Sequence, residues 1–302
     1  MKKYILNKEE RSALFSLSHF IKIGPQKMKL LFFHFKSYQK ILNASAKQLE
    51  NLGIKNDLIN EFVSWRKSFN LETAEKIIKE ENIGFITWHD KNYPFLLKEI
   101  YSPPYVLFFK GNLELIKENN LNNCLAVVGP RKNSPLADKT INHLLPKIVK
   151  SNLTIVSGLA LGVDKMAHEI AISLKGKTIA ILGTGLAEKV FYPKENLSLY
   201  QEIIKSNNLI ISEFPPLISA RAQNFPQRNR LISGLSKATL VIEAPKRSGA
   251  LITTSRALEQ NREVLAVPGD IFSEFYVGSN NLIKSGAKVI TNPDDILEIY
   301  EK

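Results

Sequence analysis

Apolar positions follow two rhythms along this chain of 302 residues, and the rhythm changes near residue 120. Ahead of the change Leu14, Leu17, Phe20 and Ile21 recur at helical spacing, and Met28, Leu31, Phe32 and Phe35 repeat the pattern. Gly24-Pro25 lies between the two runs and predicts a tight turn with proline opening the second helix. The same spacing predicts helices over 46–52, over 57–69 with Asn56 as the cap, and over 71–81. Residues 82–88 and the apolar run 105–109 behind Pro103-Pro104 read as strands. The expected organisation is a helical N-terminal domain over 1–85 and a second domain over 86–302, in which 86–120 is a connector or contributes added strands.

Beyond Asn122, short β-rich runs alternate with helix-length segments. The runs are 124–128, 154–156, 178–182, 209–211, 239–242, 264–267 and 288–290. They are apolar on both faces, the pattern of parallel strands covered on each side by crossover helices. The expected class is α/β, a Rossmann-like, doubly wound, mostly parallel sheet preceded by the small helical domain.

In such a sheet ligands sit outside the carboxyl ends of the strands. Here those ends read Gly129-Pro130-Arg131-Lys132-Asn133-Ser134, Ser157-Gly158-Leu159-Ala160-Leu161-Gly162, Gly183-Thr184-Gly185, Ser212-Glu213, Glu243-Ala244-Pro245-Lys246-Arg247-Ser248-Gly249 and Pro268-Gly269-Asp270. Glycine lets a phosphate approach the backbone, and amides at a helix start face it. Ser134-Pro135 has the form of a cap and first helical position. With Arg131, Lys132, Lys194, Lys246 and Arg247 on one rim, the crevice is expected to bind phosphate.

Charge sharpens that expectation through its distribution more than its total. Lysine and arginine number 41 against 29 acidic residues, a net +12. A lysine-rich background accounts for such a sum equally well. Residues 221–262, however, hold eight basic and two acidic residues and six of the nine arginines. The guanidinium fork suits bidentate phosphate contact better than an ammonium does, so the clustering points to a polyanion, nucleic acid first. Residues 1–120 hold 19 basic and 13 acidic residues without a dense cluster. Cys124 is the only cysteine, which excludes an intramolecular disulfide and argues against a cysteine zinc site. No apolar run approaches the ~18–20 residues of a membrane span. Met1-Lys2-Lys3 is basic, but charge between Asn7 and Arg11 leaves no signal-peptide core. A cytoplasmic protein with no membrane partner is expected.

Catalytic signatures are missing. Gly183-x-Gly185 lacks the third glycine of a dinucleotide fingerprint, and no Walker A, Gly-x-Ser-x-Gly or His-Glu-x-x-His sequence occurs. Asp164 and His168 share a helix face and more often brace a helix than hold a metal. Glu213 and Glu243 end strands in the crevice and are candidates for acid and base, but their neighbours suit them equally to holding a backbone turn. No cofactor, no metal and no enzymatic activity is the expectation.

Several long motifs bear a resemblance to one family. Ser157-Gly158-Leu159-Ala160-x-Gly162-x-Asp164-x-x-Ala167-His168 and Phe225-Pro226-x-Arg228-Asn229-Arg230-x-Ile232-Ser233-Gly234-Leu235-Ser236 resemble signatures of the DNA-processing protein A family, DprA or Smf. Ser248-Gly249-Ala250-Leu251-Ile252-Thr253, Ala266-Val267-Pro268-Gly269 and Gly278–Ala287 extend the match, so that with Tyr93-Pro94 and 103–111 it covers roughly 90–290. The family's Gly-Ser-Arg after the first strand reads Gly129-Pro130-Arg131 here. The resemblance implies a non-catalytic, dimeric, sequence-independent single-stranded DNA-binding protein that shields incoming DNA in natural transformation and loads a RecA-type recombinase. By the same resemblance Arg131 belongs to the DNA pocket and Lys194, in Tyr192-Pro193-Lys194-x-Asn196, contacts the backbone. The expected nucleic-acid contacts are Arg131, Lys132, Ser157, Gly158, Lys194, Asn196, Arg228, Asn229, Arg230, Lys246, Ser248 and Gly249, with Phe191, Tyr192 and Phe225 as candidate base-stacking rings. The dimer contact is expected at Asn281, Leu282 and Ile283. Relatives often continue into a winged helix, which is expected to be absent here. Ile23-Gly24-Pro25-x-x-Met28-x-x-Leu31 resembles a helix-hairpin-helix or SAM-like turn, with a packing role for Met28 at least as plausible as DNA docking. The enzyme alternative is a nucleotide phosphoribohydrolase of the lysine-decarboxylase-like fold, whose Pro-Gly-Gly-x-Gly-Thr signature is missing. A third reading is a pure scaffold for the recombinase.

Overall fold

The computed structural model describes residues 6–301, so Met1-Lys2-Lys3 lies outside the described residues. Nine strands form one sheet: β1 (Gly84–Thr87), β2 (Val106–Gly111), β3 (Cys124–Val128), β4 (Thr154–Ser157), β5 (Thr178–Leu182), β6 (Leu209–Ser212), β7 (Ala238–Val241), β8 (Glu263–Ala266) and β9 (Lys288–Val289). Their spatial order is β1-β2-β6-β5-β4-β3-β7-β8-β9. Strands β3 to β9 pair in parallel, whereas β1 and β2 join antiparallel to each other and to β6. The fold is therefore the α/β, mostly parallel, Rossmann-like arrangement, with the two early strands extending one edge.

The unbroken apolar runs are explained by two covered faces. Cys124, Ala126 and Val128 point into one core beneath the helices Asn224–Gly234 and Gly249–Glu259. Leu125 and Val127 point the other way, under Pro135–Lys150 and Val163–Ser173. On that second face, towards β2, the core runs on into the N-terminal helices. Leu14, Leu17, Leu31, Ile41 and Phe62 share one apolar cluster with Val106, Phe108, Ala180 and Ile210.

The helical segment is Lys8–Ser18, Pro25–Phe35, Tyr38–Leu42, Ala46–Glu50, Asn56–Ser68 and Leu71–Glu80. Pro25 opens its helix behind Gly24, and Met28 is buried, so at least its own role is packing. Asn56 is the first helical residue and Lys55 the cap position, which corrects the cap expected from the sequence. Tyr38–Leu42 went unpredicted because five residues carry too little periodicity to register. Its start is marked by Ser37, whose hydroxyl accepts from the Lys40 amide at 3.1 Å. No described helix is long and apolar enough to cross a membrane.

Candidate functional site

Because β3, β4, β5 and β7 run parallel, their carboxyl ends meet at one rim, and a cavity of about 720 Å³ opens there. Its walls are Gly129, Pro130 and Arg131 after β3, Ala160 after β4, Arg221 and Phe225 after β6, and Arg247, Ser248 and Gly249 after β7. The exposed Arg131 guanidinium lies 5.3 Å from the centre of the Phe225 ring, within cation–π range. The half-exposed Tyr192 ring stands 6.0 Å from Phe225. Helices Asn224–Gly234 and Gly249–Glu259 both begin at this wall, and the amides of a first helical turn favour an anion. Ser248 caps the second, its hydroxyl accepting from the Ala250 amide at 3.2 Å.

Under the cavity floor lies a second, inward-facing layer. Arg228 is only 4% exposed and donates to the carbonyls of Gly158 (2.7 Å) and Ile181. Burial lowers its pKa to about 10, partly countered by Asp164 and reinforced by the like charge of Arg131. Asp164 accepts from the amides of Gly158 (3.1 Å) and Ala160 (3.4 Å), so it braces the loop after β4. Burial raises the Asp164 pKa against the opposing pull of Arg228. His168 bonds through Nδ1 to Thr178 Oγ1 at 2.7 Å. The Thr178 hydroxyl proton goes to the Ile155 carbonyl, so Nδ1 carries the imidazole proton. Burial, then Arg228, lowers the His168 pKa to about 3.

Both carboxylates raised as acid–base candidates are held by protein partners. Glu243 accepts from the Ser134 amide and hydroxyl, each at 2.7 Å, which locks the start of helix Pro135–Lys150. Glu213 takes a buried two-pronged pair from Arg230 at 2.8 and 2.7 Å.

Of the residues expected from the sequence, Arg131, Arg228, Asn229, Ser248 and Gly249 line the cavity, with Arg228 contributing from below. Gly158 lines a small adjoining recess with Tyr192 and Pro193. Lys132 and Lys246 are exposed beside the rim without lining the cavity. Lys194 is also exposed, and its ammonium donates to the carbonyls of Glu188 (3.1 Å) and Lys189 (3.3 Å). Four of the expected contact residues are engaged within the protein itself. Ser157 donates to the Val127 carbonyl at 2.7 Å, and Asn196 to the Leu159 and Ala160 carbonyls at 3.0 Å each. One Arg228 Nη donates to the Gly158 and Ile181 carbonyls while its buried Nε has no partner, and Arg230 is bonded to the Ser102 and Gln227 carbonyls and to Glu213. All four are buried and held by the protein's own groups, and of them Arg228 also lines the cavity. Phe191 is likewise core, only 1% exposed. Helix Asn224–Gly234 starts four residues ahead of Arg228, so Arg228 and Arg230 lie within it on different faces, one held by the Gly158 and Ile181 carbonyls and the other by Glu213. Arg247, expected on the phosphate-binding rim, is a wall residue, and so is Arg221, which was named only within the arginine cluster of residues 221–262.

Asn281 is exposed on helix Val277–Lys284, and Leu282 and Ile283 are half-buried against the chain's own sheet core.

Fold and site together define an α/β protein with a cationic, aromatic-walled crevice at the carboxyl rim of a Rossmann-like sheet. A family model for DNA recombination-mediator protein A matches residues 84–301. The DNA processing protein DprA of Bacillus subtilis is 41% identical over 73% of this chain and 72% of its own. Its Streptococcus pneumoniae counterpart is 40% identical over 80% and 83%. The solved Streptococcus pneumoniae protein superposes with a TM-score of 0.74 at 33% identity, covering 98% of each chain. A Helicobacter pylori DNA processing protein A, whose structure concerns its single-stranded DNA binding mode, gives 0.61 at 26% identity over 72% of this chain and 94% of that one. The chain belongs to the DNA recombination-mediator protein A family, DprA/Smf.

Proposed function

We propose that this chain binds single-stranded DNA without regard to sequence, protects it, and passes it to a RecA-type recombinase in natural transformation, as a homodimer and without making or breaking bonds. The observation that carries the reading is the crevice itself, where Arg131, Arg221 and Arg247 surround the Tyr192 and Phe225 rings. Guanidinium groups satisfy phosphates, and rings accept any base face, so affinity without sequence preference follows. The Helicobacter pylori relative's single-stranded DNA binding mode supports the same ligand. Engagement of Glu213 and Glu243 by Arg230 and Ser134 argues for binding over acid–base chemistry. Dimerisation through helix Val277–Lys284 is part of the proposal; Ile271 and Phe272 stand exposed in the loop leading to it. So is the division at 85/86, with the helical part as an auxiliary module.

Electrophoretic mobility shifts with single-stranded and duplex oligonucleotides over a salt series test the reading. Arg131→Ala and Arg247→Ala should each weaken single-strand binding alike for all sequences and flatten the salt slope by roughly 0.7 per phosphate contact removed. Unchanged affinity in both variants would refute it.

A further inference from the structure

The turn at Gly24-Pro25 and the helix it opens have no part in the crevice, yet they abut its wall. Gly24 and Pro25 border a small recess shared with Gln227, which sits on helix Asn224–Gly234 between crevice residues Pro226 and Arg228. Two hydrogen bonds tie the same regions together. Arg230 Nε donates to the Ser102 carbonyl at 3.1 Å, and Gln26 Nε2 donates to the Tyr101 carbonyl at 2.5 Å. Helix Pro25–Phe35 thus starts beside the crevice wall.

That face is cationic and aromatic. Residues 11–49 contain seven lysines and arginines and no aspartate or glutamate. Gln26, Lys29, Leu30 and Phe33 share one helix face by their i, i+3 and i+4 spacing, and all four are exposed. Phe33 is 74% exposed and Tyr101, beside Gln26, 84%. Lys36 places its ammonium 4.0 Å from the Phe33 ring centre. Of the cations in this stretch, Lys22 pairs with Glu61 and Arg11 with Asp90. Exposed rings interleaved with lysines are a stacking platform on an electrostatic groove, the chemistry of sequence-tolerant single-strand binding.

We propose that Lys29, Phe33 and Tyr101 form a second contact surface for the same DNA strand, extending the track from the crevice over Pro226 and Gln227 onto the N-terminal helices. The inference rests on the crevice reading for the identity of the ligand. A segment of seven cations without a carboxylate of its own favours a polyanion over a protein partner, and its junction with the crevice wall favours a continuation of one strand.

Fluorescence anisotropy with oligothymidylates of about 6 and about 20 nucleotides, below and beyond a site of roughly 4–16, separates the two surfaces. Phe33→Ala combined with Tyr101→Ala should weaken the longer ligand about 10-fold and leave the shorter within about twofold. Lys29→Ala should flatten the salt slope for the longer ligand alone by roughly 0.7. Melting temperatures should not move, since the three side chains are exposed. Arg131→Ala should weaken both lengths. Wild-type affinity for both ligands in the patch variants, or equal losses for both, overturns the extension while Arg131→Ala still reports on the crevice. If Arg131→Ala is silent and the patch variants lose the longer ligand, the crevice reading falls and this surface stands by itself.

Discussion

Arg228 and Arg131 carry the same charge at opposite sides of one wall, and their surroundings separate their roles. The Arg228 guanidinium is encased by carbonyls and Asp164, while Arg131 is exposed over Phe225. The nearby buried imidazole gives this region a pH response. The folded pKa of His168 is lowered to about 3 from 6.5, so between those values the unfolded chain binds the extra proton and stability falls as pH falls. The slope is on the order of 1.4 kcal/mol per pH unit. The raised pKa of Asp164 acts in the opposite direction, nearer its own ordinary value of 3.8. Urea unfolding at pH 6.5 and pH 5 should show the loss in the native protein, and His168→Asn should flatten it. An unaltered slope in the variant would remove His168 as its source.

At the scale of elements, the crevice depends on how closely adjacent loops approach. Gly162 has φ of +76°, and a methyl group there would run into the Pro130 and Arg131 backbone. The Val163 amide then donates to the Pro130 carbonyl at 3.3 Å, joining the loop after β4 to the loop after β3. Gly162→Ala should cost on the order of 1–3 kcal/mol in chemical denaturation and weaken DNA binding through displacement of Arg131. Retention of full stability would mean the loops adapt. The glycines and basic residues of these loops were legible because strand periodicity places their starts. The inward turn of Asn196, Arg228 and Arg230 was not: Asn196 closes the short 3-10 turn Lys194–Asn196, Arg228 and Arg230 sit within a helix begun at Asn224, and the groups that hold all three come from distant parts of the chain. Arg221 was visible only as charge, in a polar stretch with no periodicity to assign it to a wall.

For the whole molecule, the notable feature is the core shared between the N-terminal helices and the sheet. Val106, Phe108, Ala180 and Ile210 are buried by Leu14, Leu17, Leu31 and Phe62 among others. Removal of residues 1–83 would uncover that face, and burial is worth about 25 cal/mol per Å² of apolar area. Differential scanning calorimetry should therefore show one cooperative transition for the full chain, and a lower melting temperature or aggregation for the truncated one. Two well-separated transitions in the full chain would establish the helical part as an independent unit.

By itself the sequence determined the α/β class, all nine strands, the glycine-lined rim and the arginine concentration, since these follow from local periodicity, turn chemistry and composition. Tertiary structure alone decided which cations stand exposed at the cavity. A residue's charge is local, but its hydration is not: Arg228 and Arg230 lie where neighbouring carbonyls and Glu213 replace water, and Arg131, Arg221 and Arg247 lie at the cavity the rim encloses. The same holds for the lysine-rich N-terminal helices, whose place beside the crevice wall is set by packing across more than a hundred residues of chain.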